Sequence, residues 1–227
     1  MTDTPSLQTL IDAIEQADSP ERLIAAVQAL AAARLEDGIP TLIKALGYNN
    51  PGAAMVAVRG LVQMGEVAVL PLLNLMDDYN YGARAYAIRA LAAIADPRAL
   101  DVLLVTAETD FAPSVRRAAT KGLGLLRWFQ LPSDQVAIAQ DKVLKSLFTI
   151  AQDEDWSLRY SAIVGLQALA SAAQSLHSTI TARLQQIVDT ETDLAVRSRA
   201  LWAIATLGDQ SNPGDPLRVP CSSTTAS

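Results

Sequence analysis

The stretch that decides the fold is Ala83-Arg84-Ala85-Tyr86-Ala87-Ile88-Arg89-Ala90-Leu91. Counted from Arg84, small residues follow at three and six positions and a leucine follows at seven, a spacing that indicates one face of a helix. The same pattern recurs with reference positions at residues 23, 54, 116, 159 and 197. Successive reference positions are 31, 30, 32, 43 and 38 residues apart, so a unit near 31 residues is repeated six times with two insertions.

Each unit is predicted to be a helical hairpin, and in the second unit the predicted helices are 53–64 and 67–76. Because one hairpin cannot bury its own apolar face, six hairpins are expected to stack into an all-α solenoid. Ser19-Pro20 and Asp96-Pro97 each predict an N-cap followed by proline in the first helical turn, and Asn50-Pro51 marks another junction. The solenoid is predicted to span residues 1–207, and 208–227, with three prolines, is predicted to be a flexible tail.

Composition excludes several classes of protein. Thirty-nine alanines and 31 leucines in 227 residues favour helices, and aromatic residues make up only 5%. The net charge of −6 opposes a general nucleic-acid binder, and a single cysteine excludes a disulfide framework. No run of about 18 apolar residues and no signal segment was found, so a soluble cytoplasmic protein without a membrane partner is expected.

An acidic residue precedes each reference arginine by the same number of residues. Six residues before each reference arginine lies an acid, and these pairs are Asp78–Arg84, Asp110–Arg116, Asp153–Arg159 and Glu191–Arg197. One interpretation is a series of ion pairs and caps that joins successive units. The alternative is that these groups line one rim of the solenoid and bind an anionic ligand.

Aromatic residues collect at the turns before the reference helices. Asp77-Asp78-Tyr79-Asn80-Tyr81 precedes Arg84, Phe111 precedes Arg116, and Trp156 precedes Arg159. They either cover hairpin ends or form a flat surface flanked by carboxylates and guanidinium groups. Such a surface would suit a tetrapyrrole with two propionates.

The other reactive side chains give no catalytic pattern. His177 has no second base at helical spacing and is predicted to be a surface residue, and Cys221 lies beside Pro220 in the predicted tail. No phosphate-binding loop, nucleotide-binding fingerprint or set of metal ligands is present, so no metal and no cofactor are predicted.

Three segments together resemble a known family: the turn 77–91, Asp96-Pro97-Arg98-Ala99-Leu100, and Ala112-Pro113-Ser114-Val115-Arg116-Arg117. They are similar to the HEAT-like repeats of E/F-type phycobilin lyases, most of all to the F-type (beta) subunits that act on the phycocyanin alpha subunit. The resemblance covers residues 5–208 and implies a HEAT-like α-solenoid of about six helical-hairpin repeats.

The resemblance also implies a function. An F-type subunit forms a heterodimer with an E-type subunit, and the pair attaches phycocyanobilin by a thioether to a cysteine of apo-phycocyanin alpha, reversibly. A sister branch also isomerises the bilin and carries adjacent histidine and cysteine in its F-type subunit. His177 and Cys221 are far apart here, so ligation without isomerisation is expected.

Candidate roles follow from this chemistry. Asp77 and Asp78 are predicted to keep the bilin nitrogens protonated. The propionates are predicted to bind Arg84, Arg116 and Arg159. The aromatic platform is predicted to consist of Tyr79, Tyr81 and Trp156. The competing hypothesis is a non-catalytic scaffold that binds only the partner subunit or the phycobiliprotein.

Overall fold

The computed structural model describes residues 5–77 and 80–211. Throughout these residues the chain is helical, with short 3₁₀ turns between helices and no strand. The α-helices in chain order are α1 (Leu7–Glu15), α2 (Pro20–Ala33), α3 (Ile39–Leu46), α4 (Pro51–Met64), α5 (Val69–Asn74), α6 (Tyr81–Ile94), α7 (Leu100–Thr109), α8 (Pro113–Leu125), α9 (Ser133–Ile150), α10 (Trp156–Ala172), α11 (His177–Thr190) and α12 (Leu194–Ser211).

The helices form two layers. Each even-numbered helix packs against the next even-numbered helix and against the odd-numbered helix that precedes it. All six predicted reference positions lie in the even-numbered helices, which confirms an all-α solenoid of six repeated units. The sixth unit contributes only α12 within the described part of the chain.

The second unit shows how well the predicted helices match. The predicted helix 53–64 is α4, which begins two residues earlier at Pro51. The predicted helix 67–76 is shorter, because α5 covers only Val69–Asn74 and lies between the 3₁₀ turns Gly65–Ala68 and Leu75–Asp77. Gly65 has φ 70°, a left-handed value that favours glycine and ends α4.

Side-chain caps set the helix starts that the sequence predicts. Ser19 accepts a hydrogen bond from the backbone N–H of Arg22, and Asn50 accepts one from Ala53. Helix α9 begins directly after Pro132 and ends at Ile150, and no side chain caps its first turn.

The first unit is closed by α1. Leu10 and Ile14 of this helix are 5% and 4% exposed and pack in the core against α2. The apolar stripe of α1 therefore covers the N-terminal end of the solenoid.

Small residues set the distance between neighbouring even-numbered helices. A Cβ atom at Gly122 would lie 2.6 Å from the Cβ of Ala92 on α6, and one at Gly124 would overlap the carbonyl oxygen of Gly165 on α10. Because the backbones approach this closely, the leucines seven residues after the reference positions are completely buried, as Leu91, Leu123 and Leu166 show.

One segment is long and apolar enough, by length and composition alone, to resemble a membrane span, although Arg59 and Glu66 interrupt it. Pro51–Asn74 is apolar enough over 18 residues. In the structure this segment is two helices separated at Gly65, and Leu61 and Leu72 are fully buried in the repeat core. Packing between the two layers accounts for its apolar composition.

The predicted domain boundary at residue 208 needs a correction. Helix α12 continues through Gly208 to Ser211, because no proline interrupts it before Pro213. The rest of the predicted tail, 212–227, lies outside the described residues.

Replacing Gly124 by alanine tests the close approach of α8 and α10. Gly124→Ala should lower the free energy of unfolding by about 1–3 kcal/mol, because the added methyl group must push the two backbones apart. Gly208→Ala is the matched control, since no atom lies within 4 Å of the added Cβ. Urea unfolding should show Gly208→Ala to be as stable as the parent or more stable. Equal stability of the two variants would contradict this account of the packing.

Candidate functional site

Two of the reference arginines bind carboxylates of the following unit. Arg116 Nη2 lies 2.8 Å from Asp153 Oδ2. Arg159 makes a bidentate pair with Glu191, with Nε 2.8 Å from Oε2 and Nη2 2.9 Å from Oε1. Arg116 and Arg159 thus join successive units by ion pairs, and each binds the carboxylate that precedes the next reference helix rather than the carboxylate six residues before itself.

Each of these acids also orders the turn that precedes its own helix. Asp110, Asp153 and Glu191 each accept a hydrogen bond from the backbone N–H two residues later, at 2.8–2.9 Å. One carboxylate therefore caps its own turn and binds a side chain of the preceding unit.

Asp110 binds a tyrosine in the place where the later acids bind an arginine. The hydroxyl of Tyr81 donates to Asp110 Oδ1 at 2.9 Å. Burial, and then this hydrogen bond, raise the pKa of Tyr81 to about 12, so its hydroxyl stays a proton donor at neutral pH.

The first candidate cavity surrounds this tyrosine. It has a volume of about 430 Å³, a size typical of small-molecule sites, and lies between α6, α7 and the first turn of α8. Tyr81, Arg84 and Asp110 supply polar groups, and Val102 and Val105 supply an apolar wall. Arg84 lies over the Tyr81 ring, with its Cζ 5.7 Å from the ring centroid.

Phe111 extends the aromatic surface beside this cavity. Its ring centroid is 4.4 Å from that of Tyr81, with an angle of 32° between the planes, and 78% of the residue is exposed. An exposed ring stacked on a fixed one offers a flat apolar face to a ligand. Its position before α8 is the signal that could have placed Phe111 among the candidate site residues.

The second candidate cavity lies on the other side of the first turn of α8. It has a volume of about 760 Å³ and is lined by residues of α8, α10 and α12. Trp156, which is 51% exposed, stands at its edge with Arg117, Lys121 and Tyr160. Arg117 donates to the Ser157 hydroxyl at 2.9 Å, and Ser157 hydrogen-bonds Asp155, which lowers the pKa of that carboxyl.

The predicted site residues thus fall into three groups. Tyr81 and Arg84 line the first cavity and Trp156 lines the second, while Arg116 and Arg159 are engaged in ion pairs between units. The first turn of α8 separates the cavities, since Val115 lines one and Pro113 the other. Asp77 ends the 3₁₀ turn Leu75–Asp77, and Asp78 and Tyr79 lie outside the described residues.

Charge is divided between helices and turns. Helices α4, α6, α8 and α10 contain no aspartate or glutamate, yet the chain as a whole carries −6. Their basic residues number seven: Arg59, Arg84, Arg89, Arg116, Arg117, Lys121 and Arg159. This layer is therefore suited to anionic ligands, in contrast to the rest of the molecule.

Comparison with known proteins settles the family. A model of HEAT repeats matches residues 7–74 and 69–139. The chain is 56% identical over 194 residues to "Phycocyanobilin lyase subunit beta" of a Nostoc strain, covering 86% of this chain and 96% of the relative. It is 48% identical over 205 residues to "Phycocyanin alpha phycocyanobilin lyase CpcF" of a Synechocystis strain, covering 90% and 96%. The chain belongs to the family of phycocyanobilin lyase beta subunits.

A solved structure supports the same assignment. The matching chain in "The structure of the complex of CpcE and CpcF of phycocyanin lyase" from a Nostoc strain is 57% identical and superimposes with a TM-score of 0.70, covering 74% of this chain and 98% of that one. The resemblance inferred from the three sequence segments is confirmed.

The sequence predicts no catalytic role for His177 or Cys221, and His177 does not line either cavity. His177 is the first residue of α11 and is half-buried. Cys221 lies outside the described residues. Among the described residues, no three His, Cys, Asp or Glu side chains come together as a metal site.

The pair between Arg159 and Glu191 predicts a pH dependence of stability. The hydrogen bonds from Arg159 lower the pKa of Glu191, so the pair stabilises the fold above the ordinary glutamate pKa and this contribution is lost as the pH falls through the lowered value. Glu191→Gln should therefore cost about 1–3 kcal/mol at pH 7 and progressively less below about pH 4.

Urea unfolding of both proteins between pH 3 and pH 7 measures this difference. Asp18→Asn is the control, because the Asp18–Arg22 pair is about 70% exposed and should contribute little at any pH. A cost for Glu191→Gln that does not change with pH would contradict the assignment.

Proposed function

We propose that this chain is the beta, F-type subunit of a cytoplasmic heterodimeric bilin lyase. With an E-type subunit it attaches phycocyanobilin by a thioether to a cysteine of apo-phycocyanin alpha, reversibly and without isomerising the pigment. The observation that carries the proposal is 56% identity over nearly the full length of a phycocyanobilin lyase beta subunit. The solved relative in complex with CpcE supports the requirement for a partner.

The proposed reaction needs no nucleophile from this chain. The acceptor cysteine loses its S–H proton and its sulfur forms a C–S bond at the ethylidene carbon of the bilin, while the electron pair of the broken double bond takes up one proton at the neighbouring carbon. Nothing is oxidised or reduced, and the reverse reaction is the corresponding elimination. The lyase therefore has to orient the pigment against the thiol and favour its protonated, electrophilic form. The bilin is a substrate here, and no cofactor is part of the proposal.

In this proposal the first cavity and its aromatic rings hold part of the pigment. Tyr81 and Phe111 offer a stacked surface, and Arg84 supplies a cation at the same place. Asp77 and Asp78 come just before α6 in the sequence and remain the proposed partners of the ring nitrogens. Tyr79 remains a proposed platform residue.

The second cavity is proposed to hold the propionates. Arg117 and Lys121 line it beside the exposed Trp156. Arg116 and Arg159 are less suited to this task, since a propionate would have to displace Asp153 or Glu191. The proposed propionate partners are therefore Arg117, one position after Arg116 on α8, and Lys121, one turn further along that helix.

Reconstitution tests the function. The chain, the E-type subunit, phycocyanobilin and apo-phycocyanin alpha should together give a covalently coloured acceptor that fluoresces with zinc, and omission of either subunit should abolish the colour. Colour at the full rate without this chain would refute the lyase role. Asp77→Asn combined with Asp78→Asn should abolish the colour and leave the heterodimer intact, and an unchanged rate in this double variant would contradict the proposed role of the two aspartates at the ring nitrogens.

Charge removal in the second cavity tests the propionate assignment. Arg117→Gln combined with Lys121→Gln should raise the pigment concentration needed for half-maximal rate about tenfold, because two charge-assisted hydrogen bonds are lost. Lys145→Gln is the control, since this exposed lysine of α9 pairs only with Asp141 on its own helix in the structure as described. A pigment ester without free carboxylates should lose the difference between variant and parent. An unchanged concentration dependence in the double variant would contradict the assignment.

A further inference from the structure

Helix α12 exposes a stripe that runs along one side of the helix. We call Leu194, Ser198, Leu201, Ala205 and Gly208 the end stripe; all five residues are exposed and follow one another at spacings of four and three. Leu194 is 68% and Leu201 is 52% exposed. A stripe of this spacing forms one continuous face of a helix.

At the place of Leu201 every earlier unit is covered by the next even-numbered helix. Leu201 lies four residues after its reference position, and the five earlier residues at this place are at most 6% exposed: Val27, Val58, Ile88, Thr120 and Ile163. Leu201 therefore lies on the packing face of the repeat, left without a following helix within the described residues, whereas the place of Leu194 is exposed in four of the five earlier units as well.

Ala205 is a small residue of the end stripe, and its counterparts in two earlier units pack against the next helix. Eight residues after the reference position, Ala31 and Ala92 lie against glycines of the next even-numbered helix, Gly60 and Gly122. Ala205 occupies this place on α12. Small residues here let two helix backbones approach closely, so the face suits a helix better than a loop.

The opposite end of the solenoid is treated differently. There α1 covers the first unit, with Leu10 and Ile14 buried. Terminal repeats that face water usually carry a polar outer surface. The two exposed leucines of the end stripe depart from that rule, and an exposed apolar face of this kind marks an interaction site.

We propose that the end stripe is the place where a helix of the E-type subunit packs, which continues the layer of even-numbered helices into the partner. This inference rests on the proposed function, since it takes the partner from there. Two observations select this occupant: the face repeats an interface that the chain itself forms five times, and a relative 57% identical to this chain is found in complex with a second, different protein.

Binding of the E-type subunit to stripe variants tests the inference. Leu201→Asp and Ala205→Arg should each raise the dissociation constant of the heterodimer at least about tenfold, since one puts a charge and the other excess volume into a close helix contact. Leu70→Asp is the matched control, because Leu70 of α5 is equally exposed, at 56%, and lies in the other layer; it should bind within about twofold of the parent. Isothermal titration with the full-length chain measures all three.

The variants should melt close to the parent temperature, because Leu201 and Ala205 are exposed in the described part of the chain. Unchanged binding by Leu201→Asp and Ala205→Arg would overturn the inference. So would light scattering that shows a homodimer broken by Leu201→Asp with binding of the E-type subunit intact, which would make a second copy the occupant. Tighter binding of the E-type subunit by a variant ending at residue 211 would point to the chain's own C-terminal residues and would overturn it as well.

Pigment attachment is measured in the same samples. Attachment by the parent together with normal binding of the stripe variants would leave the proposed function standing and reject only this surface. Failure of the parent to attach pigment, with tight and stripe-dependent binding, would reject the lyase role and leave the surface standing. A parent chain that does not bind the E-type subunit at all would reject both.

Discussion

The close approach of neighbouring even-numbered helices is the constraint on which the rest of the structure depends. Glycine or alanine six residues after each reference position, and eight residues after four of the six, brings the backbones together, as at Gly124 and Gly165. Only at that distance can the leucines between the units be fully buried. The helix spacing also decides where each turn lies relative to the next, and so decides which side chains of successive units can meet. The ion pairs, the aromatic contact and both cavities follow from this spacing.

The separation of charge follows from the same architecture. Carboxylates stand in the turns, where they accept backbone N–H groups at helix starts, while the long guanidinium side chains stand within the helices and reach across to them. Helices α4, α6, α8 and α10 contain no acid, and two kinds of cation must be distinguished in them. Arg116 and Arg159 hold units together, whereas Arg117 and Lys121 face a cavity.

Local patterns were sufficient to predict the repeat, the start of α2 and the family. The reference positions, the cap at Ser19 and the junction at Asn50-Pro51 all depend on residues close in the sequence. The direction of the ion pairs could not be predicted in this way, because Arg116 meets Asp153 through the stacking of units and not through their spacing along the chain. For the same reason the sequence placed Tyr81 and Trp156 on one surface, whereas the first turn of α8 separates them. The assignments of Asp77, Asp78 and Tyr79 remain predictions.

The two-fold use of each acid has an evolutionary consequence. Asp153 and Glu191 each cap their own turn and receive an arginine from the unit before, so the fifth unit carries one acceptor facing backward and one donor facing forward. Duplication of that unit in the gene would therefore place a donor opposite an acceptor at the new junction. The array could lengthen there in a single genetic step, without compensating mutations at the new joint.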